Sequence, residues 1–169
     1  MNVSGNEDDE HASLEWSQVS RTKVLGQFLK NDGCVDYRKA RDMESGAPTA
    51  VVFQTGTNRA DFKLYGCQLH LDFMMRKMNS YLWPYISVVV VDANGSPRCA
   101  LEGIACTERI GAYVFAVNAL LEMSPGRKRD NIQVVFADGR LSASILLQEN
   151  MDLPNARFFW DQYNLLSDI

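Results

Sequence analysis

LYGCQLHLDFMM (Leu64–Met75), YISVVVVD (Tyr85–Asp92) and RCALEGIAC (Arg98–Cys106) are the stretches whose reading decides the fold. In the first, Leu69, Leu71 and Phe73 alternate with Gln68, His70 and Asp72. That period of two belongs to a half-buried strand and puts Asp72 on its polar face. The second and third are apolar runs joined by ANGSP, whose Asn94, Gly95 and Pro97 suit a hairpin. Three consecutive antiparallel strands are predicted, with AVVFQT (Ala50–Thr55) as a further strand ahead of them.

Toward the C-terminus, Thr107 is predicted to cap a helix in which Ile110, Tyr113, Val114, Val117, Leu120 and Leu121 hold helical spacing. SPGRKRD ends it, NIQVVFADG reads as a short strand, LSASILLQENM as a second helix and ARFFW as a last strand. A crossover of helix length should return the strand after it parallel to an earlier one. The body is therefore expected to be α/β with a mixed sheet, in the element order of the ribonuclease-H-like fold. In that layout the first of the three antiparallel strands lies beside the fourth.

Upstream, residues 1–12 are polar and acidic and are expected to stay unfolded. Leu14, Val19, Val24, Leu25, Phe28 and Leu29 predict a helix over 13–30, and a second short helix is predicted over Val35–Met43 before the breaker SGAP. The expected organisation is an acidic tip (1–12), a helical segment (13–47) and an α/β body (48–169).

Seventeen Lys and Arg against twenty-one Asp and Glu leave a net charge of −4, and Glu7, Asp8, Asp9 and Glu10 account for it. A neutral body with an acidic tip lacks the basic excess of a self-sufficient nucleic-acid binder. No apolar run approaches the roughly 20 residues that span a bilayer, and MNVSGNEDDE has no signal-peptide character. Cys34, Cys67, Cys99 and Cys106 show no Cys-x-x-Cys spacing. An intracellular protein with reduced thiols, neither secreted nor membrane-bound, is expected.

Candidate chemistry rests on acids. Asp72 on the first strand and Asp138 at the end of the fourth could converge to hold Mg²⁺ or Mn²⁺, since hard cations prefer oxygen ligands. From spacing alone, Asp138 fits an Asp–Gly turn better, and Asp72 an ordinary solvated strand face. Asp92 reads as a hairpin residue. Glu108, at the start of the main helix, complements the helix dipole. Arg127, Lys128, Arg129 and Arg140 could touch phosphate or simply be solvated. Tyr81, Trp83 and Tyr85 suit packing more than base stacking.

From about Val51 to Ile169 the chain resembles the catalytic domain of Mutator-like element transposases. The similarity is carried in order by VFQT, YGCQLHLD, NSYLWPYISVVVVDANG, ALEGIACTE, QVVFADGRLSASILL and LPNARFF. The resemblance implies a ribonuclease-H-like fold with an Asp-Asp-Glu active site, Asp72 and Asp138 as the two aspartates, and Glu108 as an accessory acid. It also implies Mg²⁺ or Mn²⁺ held by Asp72 and Asp138, transposon-end and target DNA as partners, cleavage and strand transfer as the reaction, and a nuclear location. Self-association is compatible with it.

The chain departs from the family pattern at Met74, where the family carries threonine, and at Asp161 and Asn164, where it carries Cys-x-x-His. The last family acid belongs to a helix expected beyond Ile169, and the zinc module expected before Val51 has no cysteine pair, so a divergent core incomplete at its C-terminus is expected. Two alternatives stand beside an active transposase core. One is a catalytically silent transposon-derived remnant or a DNA- or protein-interaction module; the other is a doubly wound α/β regulator whose strand-end aspartates bind Mg²⁺ for phosphotransfer.

Overall fold

The computed structural model describes residues 33–74, 83–107, 109–137 and 148–160. The expected acidic tip, the 13–30 helix and residues 141–147 of the expected second helix lie outside them. The chain divides into two units, Met1–Cys34 and Val35–Ile169, and the architecture below concerns the second.

In chain order the elements are β1 (Cys34–Arg41), β2 (Pro48–Thr55), α1 (Gly56–Tyr65), β3 (Gln68–Met74), β4 (Tyr85–Val91), β5 (Pro97–Ala105), α2 (Ile110–Met123), a 3₁₀ turn (Arg129–Asn131), β6 (Val134–Ala137) and β7 (Arg157–Trp160). Among the described residues the strands form one seven-stranded mixed sheet in the order β1-β2-β5-β4-β3-β6-β7. β3, β4 and β5 pair antiparallel in sequence, as the hairpin reading predicts. β6 adds parallel to the other side of β3, and β7 parallel to β6. The three sequential antiparallel strands exclude the doubly wound alternative.

One face of the sheet holds the core. Leu69, Leu71, Val88, Val90, Leu101, Val52 and Val135 join Phe62 of α1 and Tyr113, Ala116, Val117 and Leu120 of α2 in a single buried cluster. The alternation in β3 reads as expected: Leu69 and Leu71 are buried, while His70 and Asp72 are only half-buried on the opposite face. Arg109 takes the N-cap of α2 and makes no side-chain cap hydrogen bond, so Thr107 is not the cap; Glu108 lies outside the described residues. The turn at Asp92 is the predicted hairpin. Its carboxylate accepts from the Asn94 and Ser96 amides, both at 2.9 Å, and from Arg98 Nε at 3.0 Å.

Two elements differ from the sequence expectation. Residues 35–43 do not form a helix; Cys34–Arg41 is the outermost strand beside β2. Asp36 and Arg38 are two residues apart, which in a strand sets them on one face. There Arg38 meets Asp36 at 2.6 Å and Glu122 of α2 at 3.3 Å, and Asp36 meets Arg59 of α1 at 3.5 Å. These tertiary partners, together with sheet pairing, override a weak helical pattern.

The second difference is α1, which lies between AVVFQT and YGCQLHLD where the sequence reading predicts no helix. Thr55 caps it: its hydroxyl accepts from the Asn58 amide at 3.2 Å, and the Asn58 side chain accepts from the Thr55 amide at 3.1 Å. Only Asn58 and Phe62 of α1 are buried, so no apolar periodicity announces it. Among the described residues no helix is long and apolar enough to cross a membrane.

Gly103 of β5 lies where a Cβ would stand 2.3 Å from the Val51 carbonyl oxygen and 2.8 Å from Val52 Cα. Backbone cannot yield as a flexible side chain can, so Gly103→Ala must push β2 away from β5 and should cost about 1–3 kcal/mol in urea unfolding. Gly111→Ala in α2 meets nothing within 4 Å and should stabilise by up to about 1 kcal/mol. Equal midpoints for the two variants would contradict this close approach.

Candidate functional site

On the sheet face opposite the core, the pairing sets four side chains in one row across four strands. Phe53 pairs with Glu102, Glu102 with Ser87, and Ser87 with Asp72. With about 4.8 Å between neighbouring strands, the backbones of Asp72 and Glu102 lie about 10 Å apart with Ser87 between them. Ser87 is buried and the two acids are half-buried. Asp72 thus lies on the polar side of a central strand.

Next along the sheet, β6 pairs with β3 so that Leu71 faces Ala137. Asp138 is the residue after Ala137 and, like Arg140, Asp161 and Asn164, lies outside the described residues.

Glu102 was not singled out from the sequence, and a local irregularity explains why. A bulge between the Val88 and Val89 pairings inserts one residue into β5, so Val88 faces Leu101 but Val89 faces Cys99. Past a bulge the alternation changes phase, and Cys99 and Glu102, three residues apart, come to share a face. One signal was available: Glu102 is the only charged residue between Cys99 and Cys106 in an otherwise apolar strand, and a charge in a buried strand demands a partner.

The partners are at hand. The Tyr85 hydroxyl donates a hydrogen bond to Glu102 Oε2. Burial, with the Glu102 hydrogen bond and charge added, pushes the Tyr85 hydroxyl pKa upward. Burial and the negative charge of Glu102 likewise push the Cys99 thiol up to about 12. Glu102 is therefore flanked by two neutral donors held in their protonated forms. Tyr85, read from the sequence as an aromatic packing residue, acts here through its hydroxyl.

His70 stands two residues before Asp72 on the same face. Its ring stacks on Phe136 with centroids 4.6 Å apart. Gln68 Nε2 lies 2.7 Å from His70 Nε2, and since an amide N–H can only donate, the imidazole accepts there.

The basic run splits by role. Arg129 donates to the Met151 carbonyl at 2.9 Å and to Asn118 Oδ1 at 2.8 Å, tying α2 to the segment before β7. Arg127 donates to the Lys63 carbonyl at 3.0 Å and lies over the Phe62 ring. Lys128 alone of the three is exposed. Glu149 and Asp152 are exposed as well.

Asp72 and Ser87 offer hard oxygen atoms, which suit Mg²⁺ or Mn²⁺ better than zinc. Among the described residues, no three His, Cys, Asp or Glu side chains are grouped to hold a metal ion. A three-ligand metal centre on this face would need a side chain from outside the described residues.

The shifted thiol has a measurable consequence. Because the folded pKa of Cys99 is raised from 9.0 to about 12, the fold favours the neutral thiol. That contribution is complete below about pH 9 and is lost as pH rises toward 12. The unfolding midpoint of the wild type should fall more steeply than that of Cys99→Ala above about pH 9, and parallel curves would contradict it. Disulfide-exchange labelling at neutral pH should modify the exposed Cys67 and Cys106 well before Cys99.

None of the family models, curated proteins or solved structures compared with the chain matches it.

Proposed function

We propose that the chain is a transposase-like catalytic core of the Asp-Asp-Glu type, with a ribonuclease-H-like fold and a lineage in Mutator-like element transposases. The single observation that carries this reading is the parallel pairing of β3 with β6, which sets Leu71 beside Ala137. It brings the strand bearing Asp72 next to the strand that Asp138 follows. The order β5-β4-β3-β6-β7, three antiparallel strands with two parallel ones added beside the first, supports the fold assignment.

On this reading Asp72 and Asp138 hold Mg²⁺ or Mn²⁺ as ligands rather than as general bases. The bound metal would activate a water and neutralise charge on the scissile phosphate. Asp72 pairs with Ser87 of β4, which presents a hydroxyl next to it in the row, and the pairing of its strand with β6 runs up to the preceding residue, Leu71. Glu102 lies two strands away and is engaged by Tyr85, so it shapes the charge of the face rather than closing the ligand set.

The test is Mn²⁺ binding by electron paramagnetic resonance, alongside nicking of supercoiled plasmid DNA. Wild type should bind Mn²⁺, and Asp72→Asn with Asp138→Asn should lower the bound fraction to that of a metal-free control. Unchanged binding in the double variant would sink the metal site. Binding without nicking would favour a silent remnant or interaction module, a reading that the methionine at position 74 supports. Nicking that Asp138→Asn abolishes would remove that second reading.

A further inference from the structure

Three rings form a ladder across β3, β6 and β7 on the face that carries Asp72. The register pairs His70 with Phe136 and Phe136 with Phe159. His70 and Phe136 stack at 4.6 Å with planes 14° apart, and Phe136 and Phe159 stack at 5.5 Å with planes 28° apart. The ladder ends at β7, the outermost strand of the described sheet, and Phe159 is 45% exposed. Arg157, two residues earlier on β7, shares that face and is exposed. The outward side of the Phe159 ring is thus a flat aromatic surface with a guanidinium about 7 Å along the strand.

We propose that Phe159 and Arg157 form a stacking subsite for a single-stranded nucleic acid. The base extends the ladder by one ring, and the guanidinium takes the adjoining phosphate. The chemistry matches the occupant on both counts. Every base has a π-face, so stacking on an exposed ring is tolerant of sequence. A planar guanidinium grips phosphate through paired N–H donors.

A protein partner fits less well. Pro154, Asn155 and Arg157 nearby are all exposed, and among the described side chains of β7, Arg157, Phe158 and Phe159, the large apolar one that is exposed is Phe159. That is far smaller than the surface a stable protein interface buries. A site of one ring and one cation also agrees with a chain that has no basic excess, since most of its affinity would come from stacking. The inference borrows only the ligand class from the proposed function, and it requires no metal.

The experiment is fluorescence anisotropy of a labelled oligothymidylate titrated with the full chain in EDTA, which leaves any metal-dependent activity silent. Phe159→Ala should weaken binding about 5- to 150-fold, the range seen when a stacking ring is truncated, and Phe159→Tyr should retain it. Arg157→Gln, a change at an exposed position, should reduce affinity and remove about 0.7 from the slope of log affinity against log salt. Wild-type affinity in Phe159→Ala, or no oligothymidylate binding by the wild type, overturns the proposal. So does a shift from dimer to monomer in Phe159→Ala with oligothymidylate binding unchanged, which would assign the ring to self-association. Loss of metal-dependent nicking in the Asp72 and Asp138 variants has no bearing on these outcomes, so the two readings fail separately.

Discussion

The rest of the structure depends on one pairing, the parallel contact between β3 and β6. Parallel neighbours cannot be joined by a tight turn, so the chain must leave the sheet and cross one face before returning. α2 lies on that path, and its apolar surface supplies Tyr113, Ala116, Val117 and Leu120 to the core. The same pairing closes β3 into the middle of the sheet. β3 is therefore flanked by β4 on one side and β6 on the other, and any side chain it projects is framed by two strands.

That central position divides the labour between the two faces. Leu69 and Leu71 are buried against the helices, while His70 and Asp72 face the other way with Ser87 and Glu102 in reach along the row. A carboxylate on a half-buried sheet face needs partners or solvent. Glu102 takes a hydrogen bond from Tyr85 and raises the pKa of the neighbouring Cys99 thiol. The aromatic ladder of His70, Phe136 and Phe159 begins on β3, two residues from Asp72, and continues away from this polar row across β6 and β7. Polar groups and rings therefore lie side by side on one surface, next to the strand end that Asp138 follows.

At the periphery, charged side chains link the outer elements to the helices. Asp36 and Arg38 of β1 reach Arg59 on α1 and Glu122 on α2, linking the outermost strand to both helices. These are partly exposed pairs, each worth little alone. Arg129 does similar work at the other end, where its guanidinium joins α2 to the Met151 carbonyl. The hydrogen-bonding capacity of a basic residue can thus be absorbed by the fold, as Arg127 and Arg129 illustrate.

Much of the body was legible in the sequence because its signals are local. Alternation in QLHLDFM, the ANGSP turn with Asp92 and Gly95, and the apolar spacing in α2 each lie within one element, and they specify strand, hairpin and helix without reference to distant residues. Asp72 could be assigned to the polar face of β3 on the same ground. What the sequence could not specify depends on contacts between residues far apart in the chain. Residues 34–41 become a strand because β2 and the cations and anions of α1 and α2 are there to receive them. α1 forms with only two buried residues because Thr55 and Asn58 cap it and Phe62 fits the core. The bulge opposite Val88 and Val89 changes the phase of β5, and only this brings Cys99 and Glu102 onto the face of Asp72. Register and bulge are properties of paired strands, so a single strand's pattern does not contain them.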